Sequence, residues 1–137
     1  MPGQTDRVEL RAADAFDLDA VSGDFDAVVA GFWLSHLDRA EIPGWLDALR
    51  RRLPGAVAVL FDNRYVEGSS TAISRTDPGG NTFQVRSLQS GEESEVRKNF
   101  FGRGELRDLF APVAGELTVH ASTYYWAARL TLVGESA

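Results

Sequence analysis

The segment from Asp24 to Phe61 constrains the fold more than any other. Ala27 to Leu34 (AVVAGFWL) is an almost unbroken apolar run, and Ala56 to Phe61 (AVAVLF) is a second. Runs without polar alternation are expected of parallel strands covered on both faces. Between them Ile42, Trp45, Leu46, Leu49 and Leu53 recur at helical spacing, which predicts a helix from about Glu41 to Leu53. Pro43 fits only the first turn of that helix, and Leu53-Pro54-Gly55 stops it. Strand, helix, strand in this order is a parallel crossover unit, so the chain is committed to an α/β fold.

The flanks extend this unit. Val8 to Ala13 reads as a strand with Val8, Leu10 and Ala12 on one face, followed by an acidic loop from Asp14 to Asp24. After Asp62-Asn63-Arg64 the character changes. Ser70 to Thr76 and Thr82 to Leu88 flank a DPGGN turn and read as a hairpin or an extended insertion. Ser90 to Glu95 is polar, and Val96 to Phe101 is expected to return to the core. Gly102 to Ala111 reads as a short helix with Leu106, Leu109 and Phe110 on one face. Leu117 to Ala121 and Tyr124 to Val133 read as a terminal antiparallel hairpin.

The 137 residues suit one domain. A net charge of −6 disfavours a nucleic-acid face, and the densest basic run, Arg50 to Arg52, lies at a predicted helix end where cations complement the dipole. The absence of cysteine excludes disulfides, thiolate metal sites and cysteine nucleophiles. His36 and His120 stand 84 positions apart and form no local ligand pair, so no metal is expected. No apolar run approaches the roughly 18 residues of a membrane span. MPGQTDRVEL has no apolar signal core, so a cytoplasmic protein is expected.

Three segments resemble the class I, Rossmann-like S-adenosylmethionine-dependent methyltransferases. VELRAADAFDL resembles their third strand and its acidic loop. DFDAVVAGFWLSHLDRAEIPGWLDALRRRLPGAVAVLFDNR resembles their fourth strand, helix and fifth strand. NFFGRGELRDLFAPVAGELTVHASTYYWAARLTLV resembles their last helix and the sixth and seventh strands. The resemblance spans residues 7–133 and implies a single partial domain: a truncated Rossmann-like methyltransferase sheet ending in an antiparallel hairpin. It implies that Tyr124–Val133 inserts between Ala56–Phe61 and Leu117–Ala121. It also implies S-adenosylmethionine as cofactor, with Asp14 accepting from the adenine amino group, Ala15 and Phe16 beside the ring, and Gly31, Phe32 and Trp33 along the methionine part. Ser35, His36 and Arg64 would face a small-molecule acceptor, with His36 as the candidate base and Asp62, Asn63 and Arg64 as the far rim of the pocket. These residues follow predicted strands, where ligands of open α/β sheets sit. Read from the residues alone, Asp14 equally suits a loop start, Trp33 a core aromatic, His36 a local hydrogen-bonder without an identifiable partner, and Arg64 a solvated loop.

The chain departs from that family in one respect: no G-x-G-x-G loop occurs anywhere in it. The resemblance therefore implies only one wall of the cofactor pocket, and weak or absent binding by this chain alone. It also leaves 26–32 without the neighbour that the family's first strand provides. Such an apolar edge invites pairing, so a homodimer or a complementing chain is expected. Two functions follow from the sequence: methyl transfer to a small molecule once the missing half is supplied, or a non-catalytic, degenerate module acting through dimerisation or a partner chain.

Overall fold

A computed structural model describes residues 7–134. Its main sheet contains β1 (Ala27–Gly31), β2 (Val57–Asn63), β6 (Ala114–Ala121) and β7 (Tyr125–Leu132). The strand order is β1-β2-β7-β6, with β1 and β2 parallel and β7 antiparallel to both of its neighbours. The last strand therefore inserts between the fifth-strand equivalent and its hairpin partner, as the resemblance implies. Register is continuous from Val57 opposite Thr131 to Asn63 opposite Tyr125, and β6 is irregular between Ala114 and Leu117.

Helices α1 (Ile42–Arg52) and α2 (Arg103–Phe110) share one core with the sheet. Ile42, Trp45, Leu46 and Leu49 of α1 and Leu106 and Phe110 of α2 are buried with Ala58, Leu60, Trp126, Ala128, Leu130 and Leu132. Period 3.6 in the helices and period 2 in the strands bring these side chains to one interface. Asp38 accepts the Ala40 N–H and caps the 3₁₀ turn that leads into α1, and Pro43 lies in the first helical turn. At the other end Asp47 pairs with both Arg50 and Arg51 at 2.7 Å. No helix among the described residues is long and apolar enough to cross a membrane.

Among the described residues the opposite sheet face carries no helix. Val57, Val59 and Phe61 are only half-buried, Tyr125 is exposed, and Val29 on the outermost strand is 67% exposed. The Asp26 carbonyl accepts from Val57, and the Phe32 N–H donates to Phe61. In a parallel ladder alternate residues bond to the same side, so the N–H groups of Ala27, Val29 and Gly31 point away from β2.

One expectation is corrected and one extended. Residues 8–13 form no strand: Val8 and Leu10 are exposed at 65% and 93%, and Arg11 ties the segment to the Ser22 carbonyl and to Glu9. A strand needs a ladder partner, and no described strand borders this segment. The expected hairpin around the DPGGN turn forms, and the polar stretch after it adds a third strand that makes the insertion a meander. The meander comprises β3 (Arg75–Thr76), β4 (Thr82–Ser87) and β5 (Glu93–Arg97), in the order β3-β4-β5. The polar residues 93–95 remain extended because their backbone pairs with β4, from Phe83 opposite Arg97 to Ser87 opposite Glu93.

Candidate acceptor and cofactor walls at the strand ends

At the carboxyl end of β2 the chain buries a polar knot. Asp62 and Ser35 are fully buried, and Lys98, the only lysine of the sequence, is 5% exposed. The Lys98 ammonium donates to Asp62 Oδ1 at 2.8 Å, Ser35 Oγ at 2.9 Å and Asn63 Oδ1 at 3.1 Å, which uses all three of its protons. The second carboxylate oxygen of Asp62 accepts the Ser35 N–H at 3.1 Å. A buried charge is tolerable only when paired and hydrogen-bonded, and here both partners are. Asn99, also fully buried, extends the knot: its amide donates to the Leu37 carbonyl and to Asn81, and its side-chain oxygen accepts the Thr82 N–H. Arg39 clasps the same region, donating to the carbonyls of Gly80 and Phe100 and pairing with Glu105 at 2.9 Å.

Beside this knot, between the insertion and the ends of β2 and β7, lies an open cavity of about 340 Å³. Arg64, Arg86, Lys98, Phe100, Tyr124 and Tyr125 contribute to its wall. Arg64 is held in place by donation to the Ser122 carbonyl at 2.6 Å, while its backbone N–H bonds to Tyr124 at 2.7 Å.

A second wall forms at the carboxyl end of β1. The rings of Phe16 and Trp33 lie 5.9 Å apart, and Trp33 lies 6.1 Å from Trp45. Trp45 donates its indole N–H to the Ala15 carbonyl at 3.0 Å and so fixes the loop. Asp14 Oδ1 accepts the Phe16 N–H at 2.9 Å. Trp33 Nε1 is buried with no partner among the described residues, a donor left over at this wall. Phe32 has φ +55°, in the left-handed region that bulky residues occupy only under constraint. Aromatic faces and a carboxylate therefore meet at this wall, chemistry that suits one side of a nucleoside. No described residue fits the role of a glycine-rich cradle for the rest of it.

The sequence-predicted residues are thus not gathered at one place. Asp14, Ala15, Phe16 and Trp33 gather at one wall, and Arg64 lines the cavity. Gly31 has a packing role: a Cβ there would collide with the ring of Phe61, which stands edge-on to Phe32 at 5.2 Å. Ser35 is inside the knot and not exposed to a ligand. His36 is exposed, and its partner is the Arg97 carbonyl at 2.9 Å. A carbonyl only accepts, so Nδ1 carries the proton and Nε2 of the neutral ring keeps its lone pair. Sequence reasoning missed Lys98, Asn99, Asn81 and Arg86. Lys98 had a signal: a solitary lysine in a segment expected to re-enter the core.

No protein-family model matches the chain, and no curated protein matches it in sequence. Solved structures do. DhpI with SAH and DhpI with SAM and HEP both superpose with TM-score 0.68, at 20% and 22% identity over 96% and 93% of this chain. PH0226 from Pyrococcus horikoshii OT3 gives 0.62 at 18% identity over 96% of this chain. The N-terminal domain of EvdMO1 with SAH bound gives 0.53 at 22% identity over 96%. The chain spans between 56% and 62% of the length of these structures. Over nearly all of its length, therefore, this chain has the fold of the class I S-adenosylmethionine-dependent methyltransferases.

Proposed function

We propose that this chain is the acceptor-side part of an S-adenosylmethionine-dependent methyltransferase acting on a small molecule. A further portion carrying a glycine-rich loop, joined to it or separate, completes the site across the outer edge of β1. The observation that carries this reading is the pairing of the fold with two ligand-sized features at the carboxyl ends of adjacent parallel strands: the Phe16–Trp33 wall after β1 and the cavity after β2. When bound, the cofactor supplies an electrophilic methyl group on a sulfonium. The chain's own residues position the partners, which is most of the catalysis an in-line displacement needs. Phe16 and Trp33 would flank the adenosine with Ala15 beside them, and Asp14 would accept from the adenine amino group. Gly31 and Phe32 would lie along the methionine end. Arg64 meets the acceptor, and His36 Nε2 takes a proton where the acceptor is a weak nucleophile.

A second reading, a non-catalytic module that assembles through β1, is favoured by the open apolar edge. Val29 is 67% exposed and Phe25 46% exposed, and both help to line a groove of about 330 Å³ against Leu49 and Leu53.

Calorimetric titration with SAH separates the two. The chain alone is expected to bind negligibly. A chimera with the portion of DhpI that this chain does not cover placed ahead of Arg7 is expected to bind in the micromolar range, and Asp14→Ala to weaken that binding. Micromolar binding by the chain alone would refute the half-site. No binding by a folded chimera would refute the methyltransferase reading and leave the module.

A further inference from the structure

The charge distribution around the cavity after β2 identifies a class of ligand, on the reading that this cavity is the acceptor site. The chain is acidic overall, with twenty carboxylates against fourteen cations. Yet Arg64, Arg86 and Lys98 meet at this one cavity and no carboxylate of the described residues lines it. The nearest acid on β2, Asp62, is fully buried and paired with Lys98, so the knot beneath the cavity is close to neutral. Two guanidiniums remain. Among the described residues neither forms an ion pair. Arg64 donates to the Ser122 carbonyl at 2.6 Å and Arg86 to the Gln84 side-chain oxygen at 2.7 Å, both neutral acceptors. A guanidinium has five N–H donors, so most of theirs are uncommitted at a concave surface. Guanidinium forks match planar and tetrahedral oxyanions in geometry as well as charge. The remaining wall includes the rings of Phe100, Tyr124 and Tyr125, flat surfaces suited to the body of a small molecule. The volume of about 340 Å³ lies at the lower end of the range for small-molecule sites.

We propose that the ligand of this cavity is a small organic acid, whose carboxylate or phosphate-type oxyanion is taken by Arg64 and Arg86 while its apolar body lies against Tyr124 and Tyr125.

The test titrates the chain with benzoate, phenyl phosphate and the neutral benzamide at fixed ionic strength, following the tyrosine ring resonances by NMR. At least one acid is expected to shift Tyr124 and Tyr125 and to bind about tenfold more tightly than benzamide. The tighter of the two acids identifies the oxyanion. Arg86→Gln, on an exposed strand position, and Arg64→Gln should each weaken that acid about tenfold, roughly what one charge-assisted contact contributes. Arg103→Gln, the same charge change on α2, should leave it unaltered. The proposal is overturned if benzamide binds as well as either acid, if neither acid shifts the two tyrosines, or if Arg103→Gln weakens binding as much as Arg86→Gln. No cofactor is present, so the outcome is independent of the SAH titration. Acid binding beside a failed chimera keeps the anion site and removes methyl transfer. The reverse result removes the acid and keeps methyl transfer.

Discussion

The carboxyl end of β2 and the outer edge of β1 lie one strand apart in the same sheet, and they are finished to different degrees. At β2 the buried charges are paired: Lys98 spends its three protons on Asp62, Ser35 and Asn63, and the second oxygen of Asp62 takes the Ser35 N–H. At β1 the outward N–H groups of Ala27, Val29 and Gly31 face no described strand, and Val29 is 67% exposed. Interior construction with an exterior position marks β1 as a strand meant to have a second neighbour. Among the described residues the carboxyl end of β2 is therefore closed by its own partners, and the outer edge of β1 is open.

The largest effect is expected where the chain is finished. Lys98→Met leaves the Asp62 carboxylate buried without its counter-charge and should cost about 3–5 kcal/mol, read by chemical denaturation. Adding Asp62→Asn should recover a large part of that loss. Equal stability of the single and double variants would show that the pair does not organise this end of the sheet. Next comes Gly31→Ala, which drives a methyl group into the Phe61 ring and should destabilise by about 1–3 kcal/mol. A neutral result would mean that Phe61 is free to leave β1.

The unfinished edge should respond in the opposite way. Val29→Lys replaces an exposed residue, so the stability of the single chain should change by less than about 0.5 kcal/mol. Self-association, however, should be lost, because a lysine on an edge opposes strand addition. Light scattering and denaturation on the same sample distinguish the two consequences. Retained association would place the contact elsewhere.

The smallest effect concerns Asp38 at the entrance to α1. Its carboxyl is held below its ordinary range, first by the Ala40 N–H and then by the Asn81 amide. With the folded value lowered, its stabilising contribution is complete above the ordinary carboxylate range and lost as pH falls through the lowered value. A carboxyl-carbon NMR titration should give a midpoint below that of an unperturbed aspartate. A midpoint at or above it would break the capping assignment.

The comparison also explains what was legible in the sequence. Elements whose pattern is local were readable: α1 from its apolar spacing with Pro43 at the start, β1 and β2 from their apolar runs, and α2 from Leu106 and Phe110. The insertion of β7 beside β2 came from the family resemblance and not from periodicity. Val8 to Ala13 has a strand's alternation and remains irregular, because alternation describes a face and a strand also needs an edge to pair with. Residues 93–95 carry no apolar signal and are strand because β4 supplies their hydrogen bonds. Asp14, Ala15, Phe16 and Trp33 were named from the family resemblance, and the strand expected just before Asp14 does not form. The knot did not, because Ser35, Asp62 and Lys98 are distant in sequence and their types have no meaning until the fold brings them together.

β1 has the sequence of an interior strand, and no described strand lies on its outer edge. Amide hydrogen exchange at Val29 and Gly31, on a sample whose mass is followed by light scattering, tests this most directly. At micromolar concentration the chain is expected to be larger than one copy, with both amides protected and their protection lost in Val29→Lys. A stable monomer in which Val29 and Gly31 exchange as freely as in an unstructured peptide would contradict the account.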